Sequence, residues 1–236
     1  MIRRLFVVLL LAVLGGLFLA LQLGYVPDAQ LNQTAAYYAE HGAGELGAAN
    51  LVTAIIVTYR GLDTLGEVTV LFLATTIIGL VLATGRATIS SESRRTQVSE
   101  LLTTGSRLLA PPIMLLGVYV FINGHLTPGG GFQGGAILAS SALLLLLAEP
   151  LRDFSHSLIA TVEALSGSIY VLLGLFGLVF AGGFLDNRFL PLGTFGELFS
   201  AGAIPLIYSL IGLKVGAEFS SVLVHLSATD TTEEQP

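Results

Sequence analysis

The sequence predicts an all-α, polytopic membrane protein of about six transmembrane helices, with both termini cytoplasmic. Three observations predict it. Of 236 residues, 53% are hydrophobic and only 11% charged, with a mean hydropathy of +0.83, whereas a soluble domain carries about 25% charged residues. Six apolar runs approach the length of about 20 residues that crosses a bilayer. The arginines divide unevenly between the connecting segments. With an inner N-terminus, Arg3, Arg4, Arg86, Arg94, Arg95, Arg107 and Arg152 fall on one side and Arg60 and Arg188 on the other. Basic residues in short loops stay cytoplasmic.

The same composition excludes other classes. Disorder needs low hydrophobicity and high net charge. A cysteine count of zero removes disulfides, thiolate metal sites and thiol nucleophiles. The net charge of -6 argues against nucleic acid as a partner.

The first run is Leu5 to Leu23, behind Arg3 and Arg4. It is longer than the 7–15 apolar residues, roughly, of a signal peptide and is taken as a span. Gly24 to Gly47 is polar and reads as a loop, with room for a short helix. Ala48 to Val57 is apolar but too short to cross, so it reads as a re-entrant or surface helix. The second span is about Leu65 to Ala83. Gly85 to Gly105 is a polar, Arg-containing linker and marks a domain boundary. The third span is about Leu108 to Asn123, with Pro111 and Pro112 near its start, where proline is tolerated. A glycine cluster then turns the chain into a fourth span, Ala136 to Ala148. Leu158 to Ala181 is the fifth and Ala201 to Leu223 the sixth. An acidic tail from Thr229 reads as disordered. The domains expected are 1–85 with two helices, a linker at 86–106, a four-helix domain at 107–228, and the tail.

Ionisable groups at membrane depth are costly and become functional candidates by default. Lys214 and Glu218 are four apart on the sixth span and share a face. Glu163 in the fifth span lies at a depth similar to Lys214. Two readings stand for this inner set: an internal ion pair that tolerates lipid depth, or a proton or cation relay. Asp63 and Glu67, also four apart, form an outer set with Arg60 nearby. Asp63 could cap the second span, with Glu67 in its first turn, or the two carboxylates could form a cation-attracting mouth. His125 reads as a hydrogen-bonded structural residue, although imidazole titrates near neutral pH. No second histidine or carboxylate stands at metal-ligand spacing around it, so no metal site is expected. The glycine run lacks the lysine and hydroxyl of a phosphate-binding loop. No cofactor fingerprint or nucleophile–base pair stands out, so no catalytic residue, cofactor or enzyme activity is expected.

The segment His125-Leu126-Thr127-Pro128-Gly129-Gly130-Gly131-Phe132-Gln133-Gly134-Gly135, with Asn123-Gly124 before it, resembles the signature of the MnhB family, the B-type component of the Mrp-type multisubunit cation/proton antiporters. The resemblance covers about Arg107 to Leu226. Asn50 to Glu67, ending in Gly61-Leu62-Asp63-Thr64-Leu65-Gly66-Glu67, is similar to the C-terminal part of the large A-type component of the same antiporters. In related membrane hydrogenases that part is a separate small protein. A common pattern of Val-Asp-Phe/Tyr-Arg reads here Val57-Thr58-Tyr59-Arg60, so any role of that aspartate does not carry over.

The chain thus looks like an A-type tail fused to a B-type component. The resemblance implies a multi-pass subunit of the cell (inner) membrane. Its partners would be other Mrp-type membrane subunits and lipid, with Na⁺ and H⁺ as the transported ions. The large subunits of such complexes carry the main proton channels. This chain would pack against them and help shape an ion path. The same module also serves redox-driven complexes of the membrane-bound hydrogenase or sulfur-reductase type. A scaffold without ion contact is the third reading.

Overall fold

The computed structural model describes residues 2–25, 30–85, 99–149, 152 and 154–231. They divide into two compact units, 1–37 and 38–236. In the first unit, α1 (Ile2–Gly24) is exposed at every residue from Arg4 to Gly24. Its length and all-round apolar character are those of a membrane span.

The expected loop before Gly47 contains α2 (Gln33–Leu46), which begins in the first unit and ends in the second. The Asn32 side chain caps it, accepting from the Ala35 amide at 2.8 Å. The short apolar stretch that follows is α3 (Leu51–Ala54), whose amides at Val52 and Thr53 donate to the Asn50 side chain. It runs on as a single π-helical turn, Ile55–Tyr59, closed by Arg60 N–H donating to Ile55 O at 2.8 Å. Thr53, Ala54 and Val57 are fully buried, so this piece is tucked into protein.

Five long helices complete the second unit: α4 (Gly61–Gly85), α5 (Glu100–Ile122), α6 (Gly131–Ala148), α7 (His156–Phe180) and α8 (Ile204–Thr231). With α1, they are the six helices among the described residues that are long and apolar enough to cross a membrane. Three of them, α4, α5 and α6, begin a full turn or more before their apolar runs. α4 starts at Gly61 and α6 at Gly131, so most of the glycine cluster is helix and only Gly129-Gly130 turns the chain. α5 starts behind a Ser99 cap, which puts 100–106 of the expected linker in helix. The remainder of that linker, 86–98, lies outside the described residues. α8 continues through Thr231, so the tail's first three residues are helical, and the rest of the tail lies outside the described residues.

Pro111 and Pro112 are correspondingly mid-helix, not near the start. Neither has an N–H, so the carbonyls of Arg107 and Leu108 lack their helical donors there.

α8 is the centre. It packs against α4, α5, α6 and α7, and α5 and α6 form an antiparallel hairpin beside it. Its inner face, Ile204, Ile207, Tyr208, Ile211 and Val215, joins Val68 of α4 and Tyr170 of α7 in one buried cluster. The outward leucines, such as Leu73, Leu108, Leu115 and Leu172, stay exposed, as lipid-facing positions must.

Small residues set the spacing. A Cβ on Gly134 of α6 would stand 2.6 Å from Gly117 O of α5, and one on Gly135 2.8 Å from Gly212 O of α8. The three backbones can approach this closely only without side chains.

Candidate ion path

At one end of the bundle the loops are tied together by polar contacts. Asn50 Nδ2 donates to Gly124 O at 2.9 Å and to Thr127 O at 3.0 Å, while its backbone amide donates to His125 O. The Thr53 hydroxyl donates to Gly124 O at 2.6 Å, and Tyr208 Oη to Thr53 Oγ1 at 3.1 Å. Asn187 Nδ2 reaches Leu46 O and Ala201 O. Gly129, at φ 153°, holds the turn where a Cβ would meet Val120. The 123–130 turn is therefore fixed by residues more than seventy positions away in the chain. Replacing Asn50 by Ala should cost about 1–3 kcal/mol, since the partly buried carbonyls of Gly124 and Thr127 both lose a donor. A lowered apparent melting temperature of the complex checks it.

His125 is fully buried. Its Nε2 lies 3.4 Å from Glu197 O, and its Nδ1 has no hydrogen-bond partner. Burial pushes the imidazole below its ordinary pKa, against the opposing backbone groups of Glu197, Ile122 and Leu198. The folded state thus holds the neutral form, and the unfolded state binds more protons as pH falls. Stability from this site is full above about pH 6.5 and is lost as pH falls through the ordinary histidine range. Amide exchange protection over 123–130 should fall on acidification from about pH 7.5 to about pH 5; protection independent of pH across that range would contradict it.

The opposite end carries the basic residues assigned to the cytoplasm. Arg107 Nε lies 2.5 Å and Arg152 Nη1 3.3 Å from the Glu149 carboxylate. Arg107 chiefly, with Arg152, holds Glu149 below the usual carboxylate range. At the loop end Asp186 pairs with Arg188 at 2.5 Å. Burial raises the Asp186 pKa, but the Arg188 contacts outweigh it and leave it lowered.

Between the two ends lie the charged candidates. Lys214 Nζ is 2.8 Å from Glu218 Oε1. Lys214 is 9% exposed and Glu218 0%. The Lys214 ammonium also sits 4.8 Å from the centre of the Phe72 ring on α4, a cation–π contact. The charge pair is made, yet neither carboxylate oxygen of Glu218 has hydrogen-bond geometry to a partner.

Glu163 is half-buried on α7. There is no ion pair between Glu163 and Lys214 among the described residues. Gly167, one turn further along α7, is the residue beside Lys214: a Cβ there would meet Lys214 Cδ, Cε and Nζ at 3.4 Å.

The outer set is on α4. Asp63 lies inside the first turn, paired with Arg60, and both are exposed. It complements the helix dipole there and is not the cap. Glu67, a turn below, is exposed on the same face.

Two further polar groups come to this region through the fold. Tyr170 on α7 is 2% exposed, and its hydroxyl has no partner. Ser166 is 3% exposed, its hydroxyl donating to Val162 O at 2.6 Å. Neither follows from the sequence reading above. Their signal there is faint: Glu163, Ser166, Gly167 and Tyr170 fall at helical spacing on one face.

With this geometry the relatives can be placed. Residues 101–221 match the family described as a domain related to the MnhB subunit of Na⁺/H⁺ antiporter, and residues 2–97 match MbhE, the E-type component of MBH. An uncharacterised protein of Methanocaldococcus jannaschii is 34% identical over 75% of this chain and 77% of its own length. The B-type Na⁺/H⁺ antiporter subunit of Bacillus subtilis is 38% identical over 38% of this chain and 64% of its own.

Among solved structures, a chain of the membrane-bound sulfane sulfur reductase, an archaeal respiratory membrane complex, superposes at a TM-score of 0.79 with 43% identity, covering 96% of this chain and 98% of that one. A chain of the Mrp complex from Dietzia sp. superposes at 0.78 with 26% identity, covering 99% of this chain but 27% of its own. The MnhB-related match takes in the glycine-packed hairpin α5–α6, the turn at His125, α7 and the charge-bearing part of α8. The protein is a multi-pass membrane protein that belongs to the family of domains related to the MnhB subunit of Na⁺/H⁺ antiporters, with a segment matching MbhE before it.

Proposed function

We propose that the chain is a non-catalytic membrane subunit of an Mrp-type cation/proton antiporter module. It packs against large antiporter subunits and lends the joint face of α4, α7 and α8 to an ion path that supports Na⁺/H⁺ exchange. The observation that carries this reading is the Lys214–Glu218 pair, buried at membrane depth in an MnhB-related domain. A fully buried carboxylate balanced by a single ammonium is costly and is a functional-site candidate by default. Glu163, on the inner side, and Asp63 and Glu67, on the outer side, extend the charged line. Both termini face the cytoplasm, with Arg107, Glu149 and Arg152 at the inner surface. The part resembling the A-type tail is 1–85, and the B-type part, 107–228, follows the 86–106 segment.

A second reading places the same module in a redox-driven ion-pumping complex. The match along nearly the whole of both chains to a component of the sulfane sulfur reductase, and the match to MbhE, favour that setting. The test is isolation of the native complex in mild detergent through a tag on this chain, with its components identified by mass spectrometry. Large antiporter-like subunits alone support a secondary antiporter. The same subunits with iron–sulfur proteins support the redox setting. Recovery of this chain with no antiporter-like subunit defeats both.

A further inference from the structure

The inner end of the α7–α8 pair carries a polar feature that the ion path does not use. His156 is the first residue of α7, behind the Ser155 cap, and His225 lies near the end of α8. The two belong to different helices, far apart in the chain, so no sequence spacing joins them. In the fold their rings are neighbours, with centres 5.6 Å apart and planes inclined at 66°. The meeting is set by helix register. Gly167 of α7 lies against Lys214 of α8. From that level His156 is eleven residues back along α7, and His225 is eleven residues on along α8. Eleven residues make about three turns, so each histidine returns to the face that its helix turns to the other. The helices are antiparallel, so both histidines arrive at one level, about 16.5 Å inward of Lys214.

The geometry suits a shared metal ion. His225 Nδ1 lies 2.7 Å from the Ser221 carbonyl oxygen and 3.5 Å from the Ser221 hydroxyl. A carbonyl only accepts, so the nearer contact places the proton on Nδ1 and the lone pair on Nε2. An N–H donated to a backbone carbonyl is the arrangement that orients metal-bound histidines. Two imidazoles on one tetrahedral zinc ion, each at about 2.0–2.1 Å, have ring centres roughly 5–6 Å apart, and the observed separation falls there. His225 is half-buried, while His156 is exposed and can turn to bring a nitrogen to the ion. Among the described residues no third histidine or carboxylate joins them, so water would complete the shell and the ion would exchange with solution. Imidazole suits zinc, copper and nickel, whereas magnesium and calcium take oxygen ligands.

We propose that His156 and His225 together bind a divalent transition-metal ion of the zinc class at the inner surface, and that the bound ion ties the start of α7 to the end of α8. The site goes beyond the ion-path reading and does not depend on it.

The test is zinc binding by the purified native complex, measured by equilibrium dialysis at micromolar zinc, in wild type, His156→Ala and His225→Ala. Zinc held by other subunits is common to all three. Each variant should bind one ion fewer per complex than wild type, because each removes half of a two-histidine site. Zinc should also raise amide-exchange protection in the first turn of α7 in wild type and in neither variant, and millimolar magnesium should not. Equal zinc content in wild type and both variants overturns the site. Loss in only one variant overturns it too, since the two histidines would then not share an ion. If an alanine variant fails to assemble, His156→Gln and His225→Gln keep a polar side chain and are read in the same way. Recovery of this chain without antiporter-like subunits would defeat the proposed function and leave this site standing, because both histidines belong to this chain.

Discussion

Lys214→Met should lower the stability of this protein by about 3–5 kcal/mol, the range seen when one partner of a buried ion pair is removed. The reason is local. Glu218 is fully buried, and its carboxylate oxygens have no hydrogen bond to replace the ammonium at 2.8 Å. Methionine is an unbranched side chain close to lysine in length, so lost volume is a minor part of the loss. A Lys214→Met/Glu218→Gln double variant should recover most of it, because the stranded charge is gone. The apparent melting temperature of the detergent-solubilised complex reads both. Equal melting of wild type and single variant would mean that Glu218 is protonated at rest and the pair is not ionic.

Gly134→Leu should abolish seating of α6 against α5. The added Cβ alone would lie 2.6 Å from the backbone oxygen of Gly117, and a backbone oxygen cannot rotate away as a side chain does. Overpacking costs about 1–3 kcal/mol where neighbours yield, and here two main chains must part. The 123–130 turn, which enters α6, would move with it. Gly79→Ala on α4 is the control: nothing lies within 4 Å of its Cβ position, and alanine is the better helix former by about 1 kcal/mol. Yield of assembled complex by size-exclusion chromatography should be lost in the first and kept in the second.

Much of this architecture is legible in the amino-acid order. Helices α1, α7 and α8 show as long apolar runs because their polar residues are few. The starts of α4, α5 and α6 do not show. Gly61 to Leu65, Glu100 to Arg107 and Gly131 to Gly135 are glycine-rich or polar, and they are helical because they pack on neighbours or meet the surface. Hydropathy sums over a window and does not see which face a residue takes.

The Lys214–Glu218 pair is legible from i, i+4 spacing alone. Glu163 does not reach Lys214, because Gly167 takes the place beside it, a detail of helix register that similar depth does not settle. Tyr170 carries only the faint mark of its helical spacing from Glu163 and Gly167. Its burial depends on α4, α7 and α8 meeting, and a lone tyrosine in an apolar run otherwise reads as an interfacial anchor. The ties from Asn50 to Gly124 and Thr127 likewise join distant segments, so only the fold reveals why that turn holds its shape.

If the buried carboxylate of α8 lies on the path of the transported ion, removing its charge must stop transport without dismantling the complex. The most direct measurement is ion transport by the assembled complex carrying Glu218→Gln, with composition checked in the same preparation. Glutamine keeps the shape and removes the ionisable group. The expected result is an intact complex whose Na⁺-coupled proton movement is largely lost. Full transport by an intact complex would contradict the ion path and reduce this chain to a scaffold.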